Sequence, residues 1–148
     1  INYLAKNVEL YNNTFVLSAQ TSPIILKSNQ KRNFSFYNNV IYNMSPNAKF
    51  EISDTVNAAI KNNLVYSAPG ASISGFDAFK AANLNGLYQD PAFVEVYSDD
   101  VGRIGRAFAE NFRLKKSSPA FGAASESAAV NDFFGNPYAN TVGFSCAS

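Results

Sequence analysis

Histidine is missing from this 148-residue chain. Without it there is no imidazole general base, no imidazole metal ligand and no Ser-His or Cys-His nucleophile pair. There is one cysteine, Cys146. It has no internal disulfide partner and cannot build a metal site alone. Charge is sparse: Asp, Glu, Lys and Arg make up 16% of residues, and the net charge is +1. That near-neutral balance offers no electrostatic case for a nucleic-acid partner or an anionic membrane surface. No apolar run reaches the roughly 18 residues of a spanning helix. The first residue is Ile1 rather than Met, and no secretory apolar region follows it.

Asparagine is abundant instead, with 19 residues, 13 of them before position 67. Asn tolerates left-handed backbone and bonds its own backbone in turns, so many tight bends are expected. The bias has a pattern. Tyr11-Asn12-Asn13-Thr14-Phe15-Val16 returns as Tyr37-Asn38-Asn39-Val40-Ile41-Tyr42, then as Lys61-Asn62-Asn63-Leu64-Val65-Tyr66. Each copy follows a short alternating run: Val8-Glu9-Leu10, Phe34-Ser35-Phe36 and Ala58-Ala59-Ile60. A repeat of roughly 20–50 residues marks a solenoid.

Two-residue alternation places Val8/Phe34/Ala58 and Leu10/Phe36/Ile60 on one strand face, taken as inward. The Asn pairs then fall at one corner, where stacked amides can bond from coil to coil. Phe15, Ile41 and Val65 begin a second strand, also pointing in. A third strand is visible in two copies, Ile24-Ile25-Leu26-Lys27 and Phe50-Glu51-Ile52-Ser53. Three short strands per repeat predict an all-β fold: a right-handed parallel β-helix of two to three coils. A β-sandwich also accommodates short strands and turns but does not explain a recurring word. After Ser67-Ala68-Pro69-Gly70 the rhythm breaks. Phe76–Leu84 reads as a short helix, begun near Ser74 or Asp77 and ended by Asn85-Gly86. It is an excursion from the last coil or a cap over its end. The expected layout is one domain: coils over 1–70, excursion and last coil over 71–97, and an irregular cap over 98–148.

Further on come Gln89-Asp90-Pro91-Ala92-Phe93-Val94, Asn111-Phe112-Arg113-Leu114, Ser117-Ser118-Pro119-Ala120-Phe121-Gly122-Ala123, Asp132-Phe133-Phe134-Gly135-Asn136-Pro137 and Thr141-Val142-Gly143-Phe144. This succession resembles the C-terminal end of secreted right-handed parallel β-helix proteins, a group that includes polysaccharide lyases and glycosidases. Two features depart from the pattern: an inserted Ser98–Arg106 loop, and the ending Ser145-Cys146-Ala147-Ser148. The resemblance implies a secreted or cell-surface location and a polysaccharide or surface-glycan partner. It also implies that the chain is the C-terminal portion of a longer carbohydrate-active protein, not catalytic alone. The alternative is a non-catalytic β-helix module of a surface or adhesin-type protein.

Candidate glycan contacts follow from outward positions. Tyr42 and Tyr66 form one column and Tyr11 and Tyr37 another; exposed aromatics suit the apolar faces of sugars, and the other reading is that these rings pack against a crossing loop such as residues 71–85. Lys27, Lys49 and Glu51 are expected to cluster on the outer face of the third strands, as ordinary solvated charges or as neutralising and acid–base groups. Arg103 and Arg106, in a loop with Asp99 and Asp100, could fork onto an acidic sugar. The two aspartates could instead help hold Ca²⁺, although their spacing matches no calcium loop. No other cofactor is indicated, and catalytic residues are not identifiable. An uncovered first coil would expose strand edges, making self-association conceivable.

Overall fold

A computed structural model describes residues 7–18, 22–27, 33–53, 58–96 and 110–123. Nine short strands and one helix are assigned: β1 (Val8–Tyr11), β2 (Thr14–Leu17), β3 (Ser22–Lys27), β4 (Phe34–Tyr37), β5 (Val40–Asn43), β6 (Ala48–Ser53), β7 (Ala58–Lys61), β8 (Leu64–Ser67), β9 (Ile73–Ser74) and α1 (Phe76–Ala82). Among the described residues a 3₁₀ turn follows at Glu110–Phe112. The strands form three parallel sheets, ordered β1-β4-β7, β2-β5-β8 and β3-β6-β9. The chain therefore visits each sheet once per lap, which is a parallel β-helix of three coils.

The register is the one the repeated word demands. Val8, Phe34 and Ala58 stand one above another, as do Leu10, Phe36 and Ile60. Phe15, Ile41 and Val65 are likewise aligned, and Ile24 and Leu26 lie against Phe50 and Ile52. Buried Phe34, Phe36, Ile41, Phe50, Ile60 and Val65 form one core cluster with Leu26 and Phe79. Stacking apolar on apolar in this register packs aromatic, branched and small side chains against one another at the ~4.8 Å spacing between strands.

The two asparagines of each pair divide the work at the corner. Asn12, Asn38 and Asn62 have φ of 57°, 57° and 54°. Asn enters this left-handed region at lower cost than most side chains, so the bend occurs there. The second Asn then points its amide along the coil axis. The backbone N and Nδ2 of Asn13 both donate to Asn39 Oδ1 (3.0 and 3.1 Å). Asn39 repeats the pattern onto Asn63 Oδ1 (3.0 and 2.9 Å). The other Nδ2 hydrogens of Asn39 and Asn63 go to the carbonyls of Leu10 and Phe36. Asn39 and Asn63 are buried, and their amides are paired on both sides.

A fourth rung extends the ladder beyond the three copies of the word. Asn63 N and Nδ2 donate to Asn83 Oδ1 at 3.1 and 3.0 Å. Asn83 Nδ2 donates to Asn63 O and to the Tyr88 hydroxyl. Leu84 and Leu87 make isolated parallel bridges to Lys61 and Leu64, so a fourth lap begins here. This is why α1 ends at Ala82 and not at Asn85-Gly86: Asn83 leaves the helix to join the ladder.

The start of α1 also differs from expectation. Its N-cap is Gly75 at φ 73°, and no side chain caps it. β9 pairs Ile73 with Ala48 and Ser74 with Lys49, then stops. The next residue, Gly75, has no side chain, and a Cβ there would collide with the Phe50 carbonyl oxygen. The place above Phe50 is filled from the helix instead. Phe79 stacks on Phe50 (centroids 4.3 Å, 18°) and meets Phe36 edge-on at 6.3 Å. Of the two expected roles, α1 takes that of a cap.

The chain groups into two compact units, Ile1–Gln89 and Asp90–Ser148. In the second, Phe93 and Leu114 form an antiparallel bridge. Val94 N donates to Arg113 O (2.8 Å) and Lys115 N to Ala92 O (2.9 Å). The Phe93 and Phe112 rings meet edge to face at 5.5 Å. Pro91, Phe93, Leu114, Ser118 and Ala120 are buried. These five motif residues are thus packing positions of this unit, whereas Val94 and Phe121 are exposed and the motifs after residue 123 lie outside the described residues.

Three substitutions test this account. Asn39→Ala removes the acceptor of both Asn13 donors and the amide that serves the Leu10 carbonyl and Asn63 Oδ1, which keeps only the backbone N–H of residue 39, at about 1–3 kcal/mol per buried group left unpaired. It should cost about 3 kcal/mol or more by guanidinium denaturation, whereas Asn13→Ala, at the exposed rung, should cost about 1 kcal/mol. Gly75→Ala should cost at least the ~1–2 kcal/mol of a left-handed non-glycine residue, plus the clash at Phe50. An unchanged midpoint in Asn39→Ala or Gly75→Ala would contradict the packing described.

Candidate functional site

Inward positions and corners are consumed by packing and by the ladder, so chemistry directed at a ligand has to come from the outward columns. The clearest column is on the first sheet. Tyr11, Tyr37 and Lys61 are register partners on β1, β4 and β7. The two phenol rings stack at 5.1 Å with an interplanar angle of 14°. Lys61 Nζ lies 5.7 Å from the Tyr37 centroid on the same column, within cation–π range. The spacing of the rings is close to the strand rise, so their planes lie nearly across the axis.

That geometry has a consequence for recognition. Tyr37 has Tyr11 on one face and Lys61 on the other. Its hydroxyl and ring edge remain for a ligand, not its face. No described residue stacks on the other face of Tyr11, which is half-buried, and Lys61 contributes an ammonium two rungs, about 9.6 Å, further along. Tyr37 also has its pKa raised from 10.0, first by burial and then by the charges of Glu9 and Tyr11. The Lys61 ammonium favours the phenolate, but the net direction is upward. Tyr37 therefore stays a neutral hydrogen-bond donor throughout the physiological range.

The second aromatic column is less accessible than expected. Val16, Tyr42 and Tyr66 are aligned, and the two rings lie 5.4 Å apart at 44°. Tyr42 is only 7% exposed, because every residue of β5 is buried. It offers no free sugar-binding face, and Tyr66 is half-buried. On the third sheet, Lys49 and Glu51 form an ion pair at 3.2 Å. They neutralise each other on a solvated strand surface, and Ile25 beside them is exposed. Lys27 lies at the end of β3 opposite Ser53; its side chain is outside the described residues. So are Arg103, Arg106, Asp99, Asp100 and Cys146.

Lys61 was not singled out as a site residue from sequence, although the signal was present. It occupies the tyrosine place in the third copy of the word, where an outward cation replaces an outward ring. Among the described residues, no group of three His, Cys, Asp or Glu side chains could hold a metal ion. No described helix is long and apolar enough to cross a membrane. Compared with family models, curated proteins and solved structures, the chain matches none.

The shift on Tyr37 sets a pH dependence. The folded pKa lies above the unfolded value, so this contribution to stability is complete below about pH 10. It disappears as pH rises through the folded value. Phenolate absorbance during alkaline titration should show a late-titrating tyrosine that vanishes in Tyr37→Phe. In Glu9→Gln the same tyrosine should titrate earlier. A Tyr37 that ionises together with exposed tyrosines would rule this out.

Proposed function

We propose that the chain is the C-terminal part of a carbohydrate-active β-helix protein and contributes a glycan-contacting face, not a catalytic centre of its own. The observation that carries this reading is the Tyr11–Tyr37–Lys61 column on a rigid sheet. The Tyr11 ring face turned away from Tyr37 suits the C–H face of a sugar. Phenol hydroxyls suit its hydroxyl groups, and an ammonium two rungs away suits a uronate carboxylate. An acidic polysaccharide lying along the coil axis can meet all three. The resemblance of the terminal motifs to secreted polysaccharide lyases and glycosidases supports the substrate class and a secreted or surface location. The ion-paired Lys49 and Glu51 favour a contacting over a proton-transferring role for the third sheet. A module of a surface protein would use the same column.

The test is a panel of acidic and neutral polysaccharides, with binding followed by calorimetry and turnover by absorbance of unsaturated products. Binding of an acidic polysaccharide is expected, weakened about tenfold or more, ~1.4 kcal/mol, by Tyr11→Ala or Lys61→Ala, without product formation. Product formation by the isolated chain would show a catalytic centre instead. No binding to any member, or binding indifferent to both substitutions, would eliminate the column as the contact.

A further inference from the structure

The ladder has a direction. Each rung offers its backbone N and Nδ2 to the Oδ1 of the rung after it: Asn13 to Asn39, Asn39 to Asn63, Asn63 to Asn83. The C-terminal end of this chain of donors is closed. Asn83 N donates to the Phe79 carbonyl, and Asn83 Nδ2 is shared between Asn63 O and the Tyr88 hydroxyl. Strand edges are met there too, by Leu84 on β7 and Leu87 on β8. A Cβ on Gly86 would strike the Asn83 amide and the Tyr88 ring, so glycine keeps this terminal rung seated.

The N-terminal end is built the opposite way. Asn13 donates twice to Asn39, and its Oδ1, the group that every later rung has filled, accepts nothing. Asn13 and Thr14 are exposed, and Val8, Leu10 and Phe15 are only half-buried although their partners Phe34, Phe36 and Ile41 are buried. β1, β2 and β3 are the outer strands of their sheets on this side. A second corner adds an independent requirement. Asn33 Nδ2 donates to Asn7 Oδ1 at 3.0 Å, and Asn7 has φ 54°. In that pair the later residue donates to the earlier one, so Asn7 Nδ2 has no acceptor among the described residues.

We infer that the edge formed by Asn7, β1, Asn13, β2 and β3 is a docking surface for one further parallel β-coil, N-terminal to residue 1 in the same polypeptide. That coil carries a side-chain acceptor over Asn7, and an asparagine over Asn13 that gives N–H and Nδ2–H to its Oδ1. The C-terminal end of a second copy cannot take this place, because its donors are used. Two copies joined at this same edge would pair strands antiparallel, unlike every strand pair within the sheets. The inference rests on the reading of the chain as part of a longer β-helix protein, and the added coil would lie over the ring face of Tyr11 that Tyr37 leaves free, so the two share β1 while the Tyr37 hydroxyl and Lys61 lie outside the docked edge.

The experiment extends the full chain with the coil it already contains. A copy of residues 33–52 fused directly before Ile1 places duplicates of Asn33 and Asn39 26 residues ahead of Asn7 and Asn13, the spacing of the first two coils. The extended chain should remain monomeric in sedimentation, and its guanidinium midpoint should rise by about 0.5 M. Replacing only the duplicated Asn39 by Ala should remove at least about half of that gain. An unchanged midpoint, or a gain indifferent to that asparagine, would overturn the inference. A dimer of the unextended chain that the extension abolishes would also overturn it, in favour of a second copy.

Discussion

The structure depends on a buried carboxamide being able to accept two hydrogen bonds while donating two. A corner that turns the chain inside a solenoid leaves backbone groups that no strand ladder serves. Water cannot reach them, and an unpaired buried group costs about 1–3 kcal/mol. Asparagine at positions 39 and 63 answers this on both sides, taking donors from the coil before and giving donors to the coil after. Serine or aspartate at the same place would lack the amide donor. The left-handed residue just before each rung is what aims the amide along the axis, so the two asparagines act as one unit.

Once the corner is fixed, the rest of each lap is free to vary. Successive rungs are separated by 26, 24 and 20 residues, yet they stack within hydrogen-bond distance. The differences are absorbed away from the corner. The last and shortest interval even contains a helix, whose Phe79 replaces the strand residue that Gly75 cannot supply. Packing of apolar residues on apolar residues then follows, because the ladder holds the strands in one register. Outward columns such as Tyr11–Tyr37–Lys61 inherit that register and are rigid for the same reason.

How much of this could be read from the chain differed by type of contact. The three coils, the inward faces and the Asn corner were legible because each rests on a repeated word whose copies occupy equivalent places. The fourth rung was not, because Asn83 stands in a different word, after a helix, at a shorter interval. β9 was missed because two residues leave no alternation to detect. The column of Tyr42 and Tyr66 was correctly placed in register, but its accessibility was not legible: burial of all of β5 depends on what lies outside the strand, and period-2 patterning is silent on that. Sequence also put Tyr11 and Tyr37 in one column without showing that their ring faces would meet each other. That orientation is set by side-chain torsions, which spacing does not encode.

The terminal motifs bear on function only through the fold. Pro91, Phe93, Leu114, Ser118 and Ala120 are buried packing residues, and packing is compatible with many chemistries. What a coil can do to a ligand is limited to its outward side chains. Among the described side chains of the strands the charged ones are Glu9 and Lys61 on the first sheet and Lys49 and Glu51 on the third; Lys27, at the end of β3, has its side chain outside the described residues. The second pair is mutually neutralised at 3.2 Å. Lys61 lies two rungs from Glu9 and on the neighbouring column, so their charges are held apart. Spacing of that kind suits an extended, partly charged polymer that touches several rungs at once; proton transfer at a single atom needs acid and base converging on one point. Outside the neutralised pair, the described outward charges are thus spread along the coils and do not converge on one point.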